Sequence, residues 1–249
     1  MSALTFERLE QRQLLAGNVT AVMKGSTLVI TGDAADNGVF VEGQTDGTWT
    51  VESDAIFGGD TTTINGSSIF QTPEGVKKIV VNMGDGNDRL YVLAVTFDGP
   101  GGTDLDSLTI KMGDGNDSIG QLGILTGLLD IHAKKVSVDL GNGDDSCQIA
   151  TDVFGLDDTV IGTLNVKGGN GDDKVSISGC EIQKSLSVNL GAGDDTLSLG
   201  SPFQGTLQGN TFGTKTSFNG GKGLDELIDF GNNTGVKEPK VKAFETLPV

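Results

Sequence analysis

The chain has 249 residues, with 17 Lys and Arg against 34 Asp and Glu, a formal net charge of −17 and 39 glycines. This length suits one domain or two small ones and can bury a hydrophobic core. So negative a surface repels phosphate backbones and anionic lipids, which excludes nucleic-acid binding. Apolar runs are only a few residues long, so no transmembrane span is predicted.

Residues 1–17 are predicted to form a short N-terminal capping helix. Thr5 can N-cap a helix over residues 6–16, with Glu7 in the first turn, where the helix dipole favours an acid. Gly17 provides the stop. The segment has no apolar core of the kind that a secretory signal needs.

The same segment resembles the LEPR-XLL motif found near the N-terminus of bacterial surface and secreted proteins. The matching residues are Leu9, Glu10, Arg12, Leu14 and Leu15. Gln11 stands where that family has proline. The resemblance implies an exported protein or cell-envelope component, extracellular or at the cell surface, with this segment as a sorting tag. A plain structural helix accounts for the same residues.

Residues 18–78 repeat a weaker form of the pattern that dominates the rest of the chain. Leu28 and Ile30 precede a corner at residues 32–37, and Val39 and Val41 follow it. Apolar residues then continue irregularly towards Ile79. This stretch is predicted to form degenerate β-coils, either one long coil or two irregular ones.

Residues 79–235 contain six copies of a Gly-x-Gly-x-Asp core. Their first glycines are Gly84, Gly113, Gly141, Gly169, Gly191 and Gly221, at intervals of 29, 28, 28, 22 and 30 residues. Apolar residues alternate with polar ones on both sides of each core, as Ile79, Val81 and Leu90 show for the first copy. Period two on both sides indicates strand, glycine corner and strand.

A parallel β-helix explains why identical corners recur at one phase, about 27 residues apart, because each coil stacks on the last. The predicted fold is therefore an all-β parallel solenoid with the short N-terminal helix as a cap. A third short strand is expected in each coil, as at residues 129–133. An antiparallel sandwich is the alternative.

The corners resemble the nonapeptide of the RTX calcium-binding family, Gly-Gly-x-Gly-x-Asp-x-apolar-x. The matching aspartates are Asp88, Asp117, Asp145, Asp173, Asp195 and Asp225, of which the last is the weakest because Leu224 replaces its polar neighbour. The resemblance implies a β-roll that holds Ca²⁺ between stacked turns. Two features depart from the family: the leading Gly-Gly pair occurs only at Gly168 and Gly220, and the motif occurs once per long coil.

Electrostatics supports a cation site independently of this resemblance. Stacked carboxylates about 5 Å apart repel by roughly 3 kcal/mol per pair at an effective dielectric constant near 20. Raised pKa values, exposure to water or a bound hard cation can relieve that repulsion. The predicted Ca²⁺ ligands are Asp85, Asp88, Asp114, Asp117, Asp144, Asp145, Asp172, Asp173, Asp194 and Asp195. The alternative is that these aspartates only hydrogen-bond their own turns.

Few residues favour catalysis. The single histidine, His132, is predicted to be structural, and Arg89 and Lys174 are interpreted as charge compensation beside corner aspartates. Cys147 has the spacing of a core residue, and a disulfide with Cys180 is possible but not favoured. Residues 236–249 are predicted to be a C-terminal cap or linker.

The sequence thus predicts a calcium-binding extracellular β-solenoid that acts as a structural or adhesive surface module and is not an enzyme. Cell-envelope glycans or other surface proteins are its possible partners, and the oligomeric state is left open. A polysaccharide-active β-helix enzyme and a ligand-free scaffold are the alternatives.

Overall fold

The structure is a computed structural model that describes residues 17–54, 62–94, 105–120, 128–129, 131–149, 159–200, 209–213, 215–231, 233–235 and 239–245. These residues form two sheets. Sheet 1 contains β1 (Asn18–Lys24), β2 (Thr27–Thr31), β5 (Thr63–Ile64), β7 (Lys78–Asp85), β9 (Ser107–Asp114), β12 (His132–Asn142), β14 (Val160–Asn170), β16 (Glu181–Ala192), β18 (Thr211–Phe212), β19 (Lys215–Lys222) and β21 (Lys240–Lys242). Sheet 2 contains β3 (Gly38–Gly43), β4 (Trp49–Ser53), β6 (Ile69–Gln71), β8 (Arg89–Ala94), β10 (Ser118–Ile119), β11 (Leu128–Leu129), β13 (Ser146–Ile149), β15 (Lys174–Ile177), β17 (Thr196–Leu199) and β20 (Glu226–Asp229).

The chain alternates between the sheets once per repeat, which confirms the predicted parallel solenoid. In sheet 1 the order β7-β9-β12-β14-β16-β19 is parallel throughout, and in sheet 2 the order β8-β10-β13-β15-β17-β20 is parallel as well. The corner glycines are in register from coil to coil: Gly84 pairs with Gly113, and Gly113 with Gly141. All six corners therefore lie on one edge, and the antiparallel sandwich is excluded.

The core lies between the two sheets and is built from the predicted inward positions. Ile79, Val81 and Met83 of β7 are fully buried, as are Leu90 and Val92 of β8. The corresponding positions are buried in the later coils as far as β17, including Cys147, whereas in β20 Leu227 is only partly buried and Asp229 is exposed. Because successive coils bury side chains at matching positions, one continuous hydrophobic core runs through the stack.

The first corner also belongs to the stack, with antiparallel strands added around it. β2 pairs in parallel with β7 and β3 with β8, so residues 27–43 form one complete coil. β1 lies antiparallel to β2, and β4 lies antiparallel to β3. Residues 18–78 thus contain one regular coil whose outer edges are covered by hairpin strands.

Three expectations about individual segments have different outcomes. The predicted strand over residues 129–133 does not form as one strand, because β11 ends at Leu129 in sheet 2 and β12 begins at His132 in sheet 1. The N-terminal helix over residues 6–16 lies outside the described residues. Within the C-terminal segment predicted to be a cap or linker, β21 extends sheet 1 by pairing in parallel with β19; the cap itself stays a prediction.

Candidate functional site

The corner edge is built from glycines that no other residue can replace without strain. The first and third positions of each corner have φ between 107° and 145°. A Cβ atom on Gly143 would lie 1.9 Å from the carbonyl oxygen of Gly115 in the preceding coil. Positive φ and close stacking therefore both require glycine, and the backbones of successive corners are held in van der Waals contact.

The fifth corner residue in each coil is an aspartate that points into the solenoid. We call this set the Asp column; its members are Asp88, Asp117, Asp145, Asp173, Asp195 and Asp225. All six are at most 3% exposed. The Asp column runs between the two sheets at the corner edge, next to the apolar core.

Each carboxylate of the Asp column accepts a hydrogen bond from the main chain of the coil before it. The N–H of Asp88 donates to Oδ1 of Asp117 at 2.8 Å, and the N–H of Asp117 donates to Oδ1 of Asp145 at 2.7 Å. The series continues through Asp173 and Asp195 to Asp225 at 2.8–3.1 Å. The column therefore supplies an acceptor to a buried N–H that the turn geometry leaves outside the strand ladders.

Different residues end the Asp column at its two ends. In the first coil Asn37 replaces the aspartate, and its N–H donates to Oδ1 of Asp88 at 2.7 Å. After the last coil Oε2 of Glu245 accepts from the N–H of Asp225 at 2.5 Å. The longer glutamate side chain completes the series from a segment that follows β21 and has no glycine corner.

The second carboxylate oxygen distinguishes the column from an ordinary structural ladder. Oδ2 of every column aspartate is buried without a hydrogen-bond partner among the described residues. Burial, reinforced by neighbouring carboxylates, raises the pKa of Asp88, Asp145 and Asp173 to about 7 and that of Asp117 and Asp195 to about 6. When these aspartates are ionised, each Oδ2 is therefore a buried, negatively charged oxygen that needs a proton or a cation to compensate its charge.

A second series of hydrogen bonds runs along the outside of the same edge, in the opposite direction. Its acceptors are the fourth corner residues, which we call the outer row: Asp36, Asn87, Asn116, Asp144, Asp172 and Asp194. The N–H of Asp172 donates to Oδ1 of Asp144 at 2.9 Å, in the coil before it. The other members repeat this contact. All six side chains are exposed.

The structure separates the ten predicted calcium ligands into buried and exposed sets. Asp88, Asp117, Asp145, Asp173 and Asp195 belong to the buried Asp column. Asp144, Asp172 and Asp194 belong to the exposed outer row, while Asp85 and Asp114 lie exposed at the second corner position. Oδ1 of Asp114 accepts from Nδ2 of Asn142 at 2.5 Å.

No group of three or more His, Cys, Asp or Glu side chains with the geometry to hold a metal ion occurs in the part of the chain described here. Adjacent members of the column and the outer row belong to opposite faces of the corner backbone. A cation at the column would therefore need backbone carbonyls or water to complete its ligands.

Sequence reasoning missed the acceptor role of the outer row, the terminal Glu245 and an ion pair next to the first regular corner. In that pair Nε of Arg89 lies 2.8 Å from Oδ2 of Asp54, whose side chain is 1% exposed. Arg89 does compensate a carboxylate, as predicted, but its partner comes from the end of β4. The regular presence of Asp or Asn at the fourth corner position was the signal for the outer row.

The remaining candidate residues have structural positions. His132 is partly exposed and lies at the start of β12, and Lys174 is exposed at the start of β15. Cys147 and Cys180 are buried and free, so the possible disulfide does not form. No helix in the described part of the chain has the length and apolar character for crossing a membrane.

Comparisons of the chain with protein families, with curated proteins and with solved structures found no match. The site must therefore be interpreted from its own chemistry.

Proposed function

We propose that the chain is a calcium-binding β-solenoid that serves as an extracellular structural or adhesive surface module and has no catalytic activity. The observation that carries the proposal is that Oδ2 of every member of the Asp column is buried and accepts no hydrogen bond from the residues that the structure describes. A buried, ionised oxygen without a partner is costly, and a hard cation relieves that cost at several coils at once.

Calcium fits these oxygens better than magnesium does. Oδ1 of each aspartate already accepts a main-chain hydrogen bond, whereas Oδ2 has no hydrogen bond from the described residues, so Oδ2 is the more available ligand and carbonyl oxygens or water would complete the set. Ca²⁺ accepts six to eight oxygens in flexible geometry, whereas Mg²⁺ demands a near-ideal octahedron. The resemblance of the corners to the RTX nonapeptide supports the same cation.

The kind of structure and the N-terminal segment support a surface role. A stack of coils with a continuous core makes a stiff module that can present extended faces. The likeness of residues 9–15 to the LEPR-XLL motif favours export, and extracellular modules bind calcium at the millimolar concentrations found outside cells. The single histidine and the absence of a recognisable catalytic set in the sequence favour a non-catalytic role.

Calorimetry tests the calcium proposal. Protein stripped with a chelator is expected to release heat on titration with CaCl₂, and its melting temperature is expected to rise. One site filled at 100 times its Kd adds about 2.7 kcal/mol to the free energy of unfolding. For a chain of this size that corresponds to roughly 5–10 °C. MgCl₂ is expected to give a smaller rise.

Two double variants locate the site. Asp117→Asn with Asp145→Asn keeps both Oδ1 acceptors but removes two column charges, so most of the calcium-induced rise is expected to disappear. The matched control, Asp114→Asn with Asp144→Asn, removes two exposed charges from the same corners and should keep the rise. Absence of heat and of any rise in the unsubstituted protein contradicts calcium binding, while loss of the rise only in the control places the site on the exposed edge.

A further inference from the structure

The outward surface of sheet 1 differs in charge from the rest of this acidic protein. Two, four and six residues before the first corner glycine of each coil, side chains point outward in three rows that continue onto β1, β2 and β21, and we call these rows the lysine face. It carries eight of the chain's 14 lysines: Lys24, Lys78, Lys111, Lys135, Lys167, Lys215, Lys240 and Lys242. All eight are exposed. The only acid in these rows is Asp139.

The strand register defines the rows. Nearest the corner, the order is Asn82, Lys111, Asp139, Lys167, Asn189, Asn219 and Lys242. The middle row is Val80, Thr109, Ser137, Asn165, Ser187, Ser217 and Lys240. In the third row, Lys24 pairs with Thr27 and Thr27 with Lys78, and farther along Lys135 pairs with Thr163. Lysines thus lie among hydroxyl and amide side chains, together with Val80 and Asp139, on strands about 4.8 Å apart.

These polar side chains lie on the rigid part of the solenoid. Their neighbours one residue away, such as Val136, Val138 and Leu164, are buried in the core. Some of the polar groups contact each other along the rows, as Nδ2 of Asn219 does with Oδ1 of Asn189. Nζ of Lys167 lies 3.5 Å from Oδ2 of Asp139, and that exposed pair contributes little by itself.

A groove adjoins the third row where sheet 1 is irregular. Between β14 and β16 the register shifts after Ile161, so that two residues of β16, Gln183 and Lys184, lie opposite Gly162. This bulge, together with the lack of a side chain at Gly162, coincides with a groove of about 370 Å³. Gly162, Gln183 and Lys184 are among the residues that line it. Bulges are common beside binding sites because they redirect side chains out of the regular pleat.

The composition of the face selects one class of ligand. Lysine ammonium groups pair with carboxylates as point charges, while Ser, Thr and Asn side chains exchange hydrogen bonds with neutral hydroxyls. The three rows contain no arginine for bidentate phosphate binding and no aromatic side chain for base stacking. They also lack the exposed large apolar residues of a membrane-binding surface. A polymer with both carboxylates and many hydroxyls fits all of these features.

We propose that the lysine face binds an anionic, uronate-containing polysaccharide along the strand stack. The lysines pair with its carboxylates, and the hydroxyl and amide side chains hydrogen-bond its sugar hydroxyls. Lysines two strands apart are separated by about 10 Å, comparable with a disaccharide unit. This inference deepens the adhesive role proposed above by naming the partner, and it uses a different surface from the Asp column.

Binding to polygalacturonate tests the inference, with dextran as the neutral probe. The experiment is done in chelator, because polygalacturonate itself binds calcium, and this also separates the result from the calcium proposal. The unsubstituted protein is expected to bind polygalacturonate but not dextran. The affinity should fall as salt rises to about 0.15 M, where screening extends over about 8 Å.

Two double variants of equal net charge make the test specific to the face. Lys111→Gln with Lys135→Gln is expected to weaken binding by about twofold to thirtyfold, because each of the two exposed ion pairs contributes roughly 0.2–1 kcal/mol. Lys174→Gln with Lys222→Gln removes two exposed lysines away from the face and should leave the affinity within about 1.5-fold. An unchanged melting temperature verifies that both variants are folded.

Three results would overturn the inference. The first is no binding to polygalacturonate in low salt. The second is an equal loss of affinity in both double variants, which would mean that general charge attraction is responsible. The third is binding of polyglutamate or duplex DNA as tight as that of polygalacturonate, which would mean that the face does not recognise sugars.

Discussion

At the scale of single residues, the corner glycines impose the stacking distance. Gly115 and Gly143 occupy the same corner position in neighbouring coils, with φ of 134° and 129°. The carbonyl oxygen of the first occupies the space where a Cβ on the second would lie. Close contact here brings the column aspartates within hydrogen-bonding reach of the preceding main chain.

Replacing one of these glycines should therefore cost more than a positive φ alone. Gly47 has φ of 82°, and nothing lies within 4 Å of the position that a Cβ would take, so Gly47→Ala measures the cost of a left-handed backbone without a clash. That cost is about 1–2 kcal/mol. Gly143→Ala combines a φ of 129°, farther from the left-handed helical region, with the clash with Gly115, and is expected to lose at least a further 1–3 kcal/mol or so. Urea unfolding followed by circular dichroism measures both.

Equal losses in the two alanine variants would contradict this account, since they would mean that the coils separate locally at little cost. An unchanged urea m-value in both variants is needed for the comparison, because a changed slope signals a changed denatured or native state.

At the scale of structural elements, the sequence predicts which corner residues form the Asp column, but the inward orientation of their side chains was overlooked. Asp88 lies two residues before Leu90 and four before Val92, both buried in β8. Extending the period-two alternation back through the corner places Asp88 on the inward side. Against this pattern stands the general tendency of charged side chains to avoid full burial. A hydrogen bond from an N–H of the preceding coil compensates part of the cost of burying the carboxylate. For most of the column this hydrogen bond joins residues 28–30 positions apart, so no local sequence pattern contains it.

The column also makes stability depend on pH. Burial raises the pKa of Asp145 to about 7 from an ordinary value of 3.8, so the folded chain binds this proton more tightly than the unfolded chain does. The resulting stabilisation is complete below about pH 4 and is lost as pH rises through about 7. In chelator, we expect the melting temperature to fall between pH 5 and pH 8, and Asp145→Asn to reduce that fall because an amide has no proton to lose.

The matched control for this pH dependence is Asp144→Asn. It removes one charge from the exposed side of the same corner and retains the Oδ1 acceptor used by the N–H of Asp172. General charge repulsion in a chain of net charge −17 would affect both variants alike. If the two variants show the same slope of melting temperature against pH, the column is not the source of the dependence.

At the scale of the whole molecule, the sequence predicts the repeating part of the solenoid but not the pairing of strands and side chains near its ends. The constant phase of the corners and the alternating apolar residues are sufficient to predict a parallel stack. Near the ends of the solenoid, β1 runs antiparallel to β2 and β4 runs antiparallel to β3. Glu245, which does not lie in a glycine corner, takes the place of a column aspartate as the acceptor for the N–H of Asp225. These features cover exposed strand edges, a requirement that many unrelated local sequences can meet. The lysine face was missed because its residues are brought together only by the register of strands from successive coils.

The stacked architecture makes a final prediction about removing one coil. Residues 146–173 span one 28-residue period, and deleting them joins Asp145 to Lys174, the register partner of Ser146. Val136 and Leu186 both pair with Leu164, so β12 and β16 can then meet in register. Since each coil contacts only its neighbours, the shortened chain is expected to fold. Its urea m-value should be about a tenth smaller, because less surface becomes exposed on unfolding.

Deleting residues 146–159 gives the contrasting variant, half a period long. It joins Asp145 to Val160, so that a strand of sheet 1 would follow a corner that leads into sheet 2. The strands of all later coils would then no longer pair in register with the preceding coil, so their apolar side chains would not face the core. We expect an unfolded or aggregated chain, as measured by circular dichroism and size-exclusion chromatography. Of the two deletions, only the whole-coil deletion preserves the register of the strands and of the Asp column. If it also fails to fold, the stability of the solenoid depends on contacts beyond nearest-neighbour coils.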